Sequence, residues 1–589
     1  MGVSSGSAIE EQNEEPLLIT TPGDTVDEMI VNYRGEKVNL STENKYGGWK
    51  SASHIIICEV GETIAYYGIL SNLITYLIGP PLNQSTVAAA TNINTWSGFV
   101  WMLPLLGGFL ADSYFGRFHT IFFSSLIYIL GLGLLTLSVA LPSLISQPEC
   151  IHSSDTTTTG NSCMPVSLQV FFFFSSLYLV AIGKAGFKPC AEAFGADQFD
   201  VRNQKECASK SSFFNWWFFG QCVGSSISFL ILTYVQENIN WTLGFGIPCI
   251  FMVIALVVFL LGTKSYRFSV KQNKENPLLG ILRVFSRAAK NWRTNSSLAA
   301  TGGTPHDKIP AGAHHLKFLD KALIYMPIDQ VSSTENSIRC NIDQVEDAKV
   351  LLRLIPIWIT CLMYAVVISQ TTTFFIKQGN TMDRSIGPDI HIPAASLLTV
   401  MSLSVILLIP IYDRIFVPLA RSLTSLPSGI TMLQRIGVGM FLSMVTMVVA
   451  AVVEKKRLRI ALDFGLVDMP KETIPLSLWW LAPQYLLIGV TEIYTIVGMQ
   501  EFFYDQVPNG LRSMGIAFYL SIIGIGDFLS GFLIFVIEKV TNASGQSSWF
   551  SDNLNRAHLD YFYWLLVGLS AANLIAYLYF SKSYLYNRL

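Results

Sequence analysis

Between residues 52 and 582 the chain alternates twelve long apolar stretches with polar breaks. The stretches fall near 52–78, 89–110, 118–141, 167–190, 211–234, 241–263, 350–376, 393–416, 430–453, 476–499, 511–537 and 560–582. Each is long enough to cross about 30 Å of hydrocarbon as a helix. A helix of a soluble protein would show a polar stripe every ~3.6 residues. FHTIFFSSLIYILGLGLLTLSVAL and IPCIFMVIALVVFLLG show none. The pattern predicts an all-α membrane protein with twelve transmembrane helices.

The longest interruption divides the helices six and six. The expected organisation is an N-terminal tail (1–50), a six-helix bundle (51–263), a linker (264–349), a second six-helix bundle (350–582) and a short C-terminal tail (583–589). The linker carries thirteen Lys and Arg and contains an amphipathic basic piece, PLLGILRVFSRAAKNWR, expected to form a surface helix. In the first half the breaks after spans 1, 3 and 5 hold no Lys or Arg, whereas Arg117, then Arg202, Lys205 and Lys210, then the linker follow spans 2, 4 and 6. Positive charge marks the cytoplasmic side, so both termini and the linker are expected there. EKKRLR (454–459) runs against that assignment, and the sequons at Asn83, Asn240 and Asn542 fall on its outer side. Six plus six helices around a charged middle loop is the layout of a major-facilitator transporter.

Composition agrees. The chain is 51% hydrophobic and 14% charged, with a mean hydropathy of +0.44, against about 25% charged residues in soluble domains. No basic stripe interleaved with aromatics appears, so no nucleic-acid partner is expected. The nine cysteines lack the spacing of a zinc site or redox pair. Cys150 and Cys163 share one polar break and would form a disulfide if it is extracytoplasmic. The acidic start of the chain is not a cleavable signal peptide.

Charge inside the spans is the informative feature, because an ionised side chain near the bilayer centre costs roughly 2.5–3.5 kcal/mol. IIICEVGETIAYYGILSNLITYLIG (55–79) places Glu59 and Glu62 on one face of span 1, continued by Tyr66. Two such carboxylates repel one another and suit proton loading and release; a buried ion pair that only locks helices is the structural reading. In span 4, GKAGFKPC sets Lys184 and Lys188 four residues apart, and the two glutamates are their obvious partners. Glu492 lies deep in span 10 with no charged neighbour in its own span. Gln370, late in span 7, is a weaker candidate substrate contact. GGFLADSYFGRFHT (107–120) offers Gly107 and Gly108 for close helix approach, with Asp112 and Arg117 as candidate gating residues between the halves. No Walker loop, G-x-G-x-x-G, nucleophile elbow or H-E-x-x-H is present, and no histidine lies mid-span. Neither an enzyme nor a bound cofactor or metal is expected.

These motifs carry a resemblance. The E-x-x-E followed by Tyr66, Tyr67 and Gly68, GKAGFKPC, FGADQFD (194–200), SFFNWWFF (212–219), and PQYLLIGVTE with GMQEFFYDQ resemble the proton-dependent oligopeptide transporters. They resemble more closely the plant branch, the nitrate and peptide transporter family. RLIPIWIT, SGITMLQRIG and NLNRAHLDYFYWLL are similar to its fifth subfamily. The resemblance implies that span 1, normally E-x-x-E-R, couples proton binding to transport. Thr63 stands in the arginine's place. Either Lys184 and Lys188 then supply the compensating charge, or the carboxylates stay protonated longer, and peptide recognition is weakened. It also implies substrate or coupling roles for Tyr67, Lys188 and Glu492. EEPLLI (14–19) resembles an acidic dileucine sorting signal, which leaves the vacuolar and the plasma membrane open.

The expected function is secondary active transport, coupled to protons, of a small polar or anionic solute by alternating access, with nitrate, peptides and plant metabolites all open. Glu59, Glu62 and Lys188 are the expected coupling residues, and Tyr67, Lys188, Glu492 and Gln370 the substrate contacts. A proton-independent facilitator or exporter, and a solute sensor, stand as alternatives. The expected partners are the solute, protons and the lipid bilayer; the sequence is silent on oligomeric state.

Overall fold

The computed structural model describes residues 28–37, 46–78, 82, 86–145, 166–200, 203–271, 277–292, 316, 318–323, 342–386, 390–391, 394–424, 429–469, 472–543, 549–550 and 553–584. Cys150, Cys163, Asn83 and EEPLLI lie outside these residues, as does the side chain of Asn542.

The first bundle comprises α1 (Gly48–Leu70), α2 (Thr86–Met102, continued by Pro104–Leu110), α3 (Arg117–Ile145), α4 (Val166–Ala196), α5 (Gln204–Ile227) and α6 (Trp241–Gly262). A linker helix, α7 (Pro277–Lys290), follows. The second bundle comprises α8 (Ile342–Ile368), α9 (Leu398–Ile411), α10 (Met432–Asp463), α11 (Ala482–Asp505), α12 (Arg512–Ala543) and α13 (Leu559–Lys582). Among the described residues, eleven helical stretches are long and apolar enough to cross a membrane. The twelfth span is α1, which packs along α5 and α6 inside the same bundle and whose hydropathy is lowered by the glutamates at its centre. The segment entering α1 pairs with the one leaving α6, where the linker begins; this side is called the linker side.

Lipid-facing and inward-facing positions separate cleanly. Large apolar side chains such as Leu261, Leu407, Phe532 and Ile575 are exposed, while most intramembrane charges are buried. This inverts the surface of a soluble protein, because outside these helices the solvent is hydrocarbon. Short strands stitch the first bundle's ends together: β1 (Glu28–Val31) pairs antiparallel with β2 (Phe268–Lys271), joining the segment before α1 to the one after α6. Helix periodicity hides such four-residue pairs.

The amphipathic linker piece folds as expected into α7, which buries Ile281, Val284 and Ala288 against Val345, Ala348 and Leu511. This docking also explains why α8 begins at Ile342, before its apolar stretch. EKKRLR has a structural explanation too. Glu454 and Arg457 form a fully buried ion pair at 2.7 Å, and Arg457 also donates to Asn555 Oδ1 (2.8 Å) and Leu554 O (2.9 Å). Arg457 is thus neutralised inside the bundle, whereas Lys455 and Arg459 of the same run stay exposed.

Candidate functional site

Glycines fix which way α4 faces. A Cβ on Gly183 would sit 2.6 Å from the Tyr128 backbone of α3, and one on Gly186 would sit 2.1 Å from Ser124 Oγ. With α3 pressed against these glycines, Lys184 and Lys188 point to α1. Lys184 Nζ donates to Glu62 Oε1 at 2.7 Å, Lys188 Nζ pairs with Glu59 Oε1, and all four side chains are buried. Tyr128 also donates to Glu62 Oε1 at 3.2 Å. The Lys184 ammonium lies 3.6 Å from the Tyr66 ring centre and 5.6 Å from that of Trp101, and cation–π attraction is strongest in such dry surroundings. The sequence named both lysines as partners of the two glutamates without assigning them; the structure gives each glutamate its own lysine.

One oxygen of each glutamate, Oε2, has no hydrogen-bond partner among the described residues. Glu192, one turn beyond Lys188 on the same face of α4, is fully buried, with the Trp217 indole as its neighbouring donor. Sequence reading passed over it, although the spacing of Lys184, Lys188 and Glu192 signals it.

Lys188 also faces a cavity of about 140 Å³ between the bundles. Tyr67 and Trp101 line it from the first bundle, with Tyr364, Glu492 and Tyr519 from the second. Glu492 is 8% exposed and no side chain among the described residues hydrogen-bonds or ion-pairs with it. Gln370 does not reach this space. It is fully buried and donates to Val366 O (2.8 Å) and Ser530 Oγ (2.9 Å), tying α8 to α12. Thr63 is buried against α5, where a Cβ on Gly224 would come within 2.9 Å of Thr63 Cβ. Asp527, exposed at the centre of α12 and within electrostatic reach of Tyr66, is a further intramembrane acid that a span-by-span reading missed.

On the linker side the bundles are tied together. Gly108 lets α2 and α12 touch: a Cβ there would lie 2.8 Å from Ser513 O. Asp112 Oδ2 accepts from Met514 N at 2.9 Å and Arg117 Nε donates to Ser513 Oγ at 2.9 Å. Asp197, just beyond α4, pairs with Arg117, with Arg512 at 3.1 Å, and accepts from Tyr504. Burial would push its carboxyl up, but Arg117 and Arg512 outweigh burial and hold it below the usual carboxylate range. Lys210 Nζ meets Asp505 at 2.6 Å, and Asp413 accepts from Ser212 (2.6 Å), Asn215 (2.9 Å) and Trp216 (3.2 Å). Asp112 and Arg117 therefore bridge the halves where their motif suggested. The acids opposite or beside them, Asp197, Asp413 and Asp505, carried no comparable signal beyond the FGADQFD and GMQEFFYDQ motifs.

The sequence profile of the POT family matches residues 118–550. The chain belongs to that family. It is 53% identical over 588 residues to Protein NRT1/PTR FAMILY 5.10 of Arabidopsis thaliana, covering 100% of both chains. It is 51% identical over 561 residues to Protein NRT1/PTR FAMILY 5.13 of the same plant, covering 95% of this chain and 96% of that one. These relatives place it in the fifth subfamily of the plant branch. Among solved structures, it resembles the POT family transporter PepTSo, with a TM-score of 0.60 and 20% identity over 91% of this chain and 98% of that one. An auto-inhibited POT family peptide transporter gives a TM-score of 0.58 and 21% identity, over 91% and 98%. The fold is the major-facilitator fold, and the POT family protein is a multi-pass membrane transporter rather than an enzyme.

Proposed function

We propose that this transporter is a proton-coupled symporter of a small polar or anionic solute, working by alternating access. One observation carries the reading: the Lys188 ammonium pairs with buried Glu59 while lining the cavity between the bundles. With Glu59 ionised, the lysine charge is answered inside the protein. A proton on Glu59 leaves that charge for a solute entering beside Tyr67, so proton and solute raise one another's affinity. The Glu62–Lys184 pair stands one turn away and supplies the positive charge that Thr63 does not. Glu492, on the opposite wall, accepts hydrogen bonds from donor groups of the solute.

Release on the linker side, taken as cytoplasmic, requires the ties around Asp197 and Asp413 to break. The carrying membrane is the vacuolar or the plasma membrane. Uptake of nitrate, dipeptides and a metabolite mixture into proteoliposomes, with and without an inward proton gradient, tests the proposal. Gradient-stimulated uptake that Glu59→Gln renders indifferent to the gradient supports it. Wild-type uptake indifferent to the gradient makes the protein a facilitator and overturns it.

A further inference from the structure

A second cavity, of about 590 Å³, lies away from the central site. Ile56, Ile57 and Val60 of α1 form one wall, Phe219 and Val223 of α5 the other, and Arg414, just past α9, closes the linker-side end. The apolar walls belong to membrane-spanning helices, and Ile57 is 53% exposed, so the groove opens at lipid depth. Its polar end holds Asp413 and Arg414. Asp413 is already engaged by Ser212, Asn215 and Trp216. Arg414 is exposed, packs 5.8 Å from the Trp216 ring centre, and forms no ion pair among the described residues. Trp49 lines the same end, as aromatic residues do at a membrane interface.

We infer that this groove holds an anionic phospholipid, with an acyl chain between α1 and α5 and the headgroup phosphate on Arg414. An apolar slot at lipid depth takes a chain. An unpaired guanidinium at its mouth takes a phosphate, whose oxygens match its planar fork. The slot spans both bundles, since α1 and α5 belong to the first and Arg414 to the second. A lipid seated there braces the linker-side seam beside Asp413.

Native mass spectrometry of the full chain, delipidated and titrated with phosphatidylglycerol or phosphatidylcholine, tests this. The wild type is expected to retain phosphatidylglycerol in preference. Arg414→Gln is expected to lower that preference about fivefold, as loss of one basic side chain near a membrane surface does, while Arg414→Lys keeps most of it. Val223→Trp, which fills the slot, is expected to remove one bound lipid of either kind. Equal retention of the two lipids by the wild type, or unchanged phosphatidylglycerol binding in both Arg414→Gln and Val223→Trp, overturns the inference. Because no solute flux is measured, failure of the proposed transport reaction leaves this outcome readable.

Discussion

Asp112 and Asp413 hold equivalent places in the two halves. Each is the second residue of a five-residue π-helical turn, ADSYF or YDRIF, that ends the second span of its bundle. Each carboxylate crosses to the fifth span of the other bundle: Asp112 to Met514 of α12, Asp413 to Ser212 and Asn215 of α5. The seam is thus braced twice by related devices, as expected of two repeats about an axis along the membrane normal. π-turns of this kind recur at functional positions because they re-aim side chains at a helix end.

Removing one brace should loosen the linker side without unfolding either bundle. Hydrogen bonds to a charged group contribute about 1.5–3 kcal/mol each, and Asp413 accepts three. Asp413→Ala is expected to raise the linker-side-open population at least about tenfold, the factor that ~1.4 kcal/mol gives. Labelling of a cysteine placed at Ser211, next to the brace but not a donor to Asp413, by a membrane-impermeant thiol reagent would report it. Labelling no faster than in the parent would show that the brace is redundant with Asp112 and Asp197.

Lys188→Gln should be more damaging than its size suggests. It leaves Glu59 buried beside an empty partner position, and breaking a buried pair from one side costs about 3–5 kcal/mol when the remaining group stays charged. The double variant Glu59→Gln with Lys188→Gln removes the stranded charge. Thermal stability should therefore recover most of the way in the double variant, while gradient-driven uptake stays lost in both. If the double variant is as unstable as the single one, the pair is packed in a way that charge does not explain.

Much of this was legible in the chain. The twelve spans follow from the length of the apolar stretches and the Glu59–Glu62 and Lys184–Lys188 faces from helical spacing, because hydrocarbon forces each span to satisfy its own backbone and makes every stranded charge conspicuous. Glu62 choosing Lys184 was not legible, since it depends on how closely α3 presses against Gly183 and Gly186. Nor was the inward role of Arg457, because a buried Glu454–Arg457 pair three residues apart reads in sequence like a charged loop. Gln370 illustrates the opposite error: a polar residue at the right depth faces Ser530 of a neighbouring helix instead of the cavity.

Asp197 makes a prediction about pH. Its folded carboxyl lies below the usual range, which in the unfolded chain is near 3.9. Its ties to Arg117 and Arg512 are therefore fully present above that value and are lost only as pH falls through the lower folded one. Between about pH 5 and 8 this gate should not titrate. Asp197→Asn is expected to raise linker-side opening by a similar factor at pH 5.5 and pH 7.5, leaving the pH dependence of uptake to other groups. An Asp197→Asn effect that vanishes at pH 5.5 would assign the gate a proton of its own.

The Glu454–Arg457 pair offers a test confined to the second bundle. Arg457 is completely buried and reaches Glu454, Asn555, Leu554 and Thr381, so it ties α10 to the segment entering α13 far from the central cavity. Arg457→Ala strands Glu454 and orphans the carbonyl of Leu554, and a loss of about 3–5 kcal/mol is expected. Removing both charges together, as Glu454→Gln with Arg457→Met, should restore much of that loss because neither partner is left ionised. Thermal unfolding of purified protein measures the stability, and lipid-reconstituted uptake at permissive temperature should be nearly unchanged in the double variant. Restored stability with abolished uptake would instead place this network in the transport cycle, since a purely structural pair has no further part to lose.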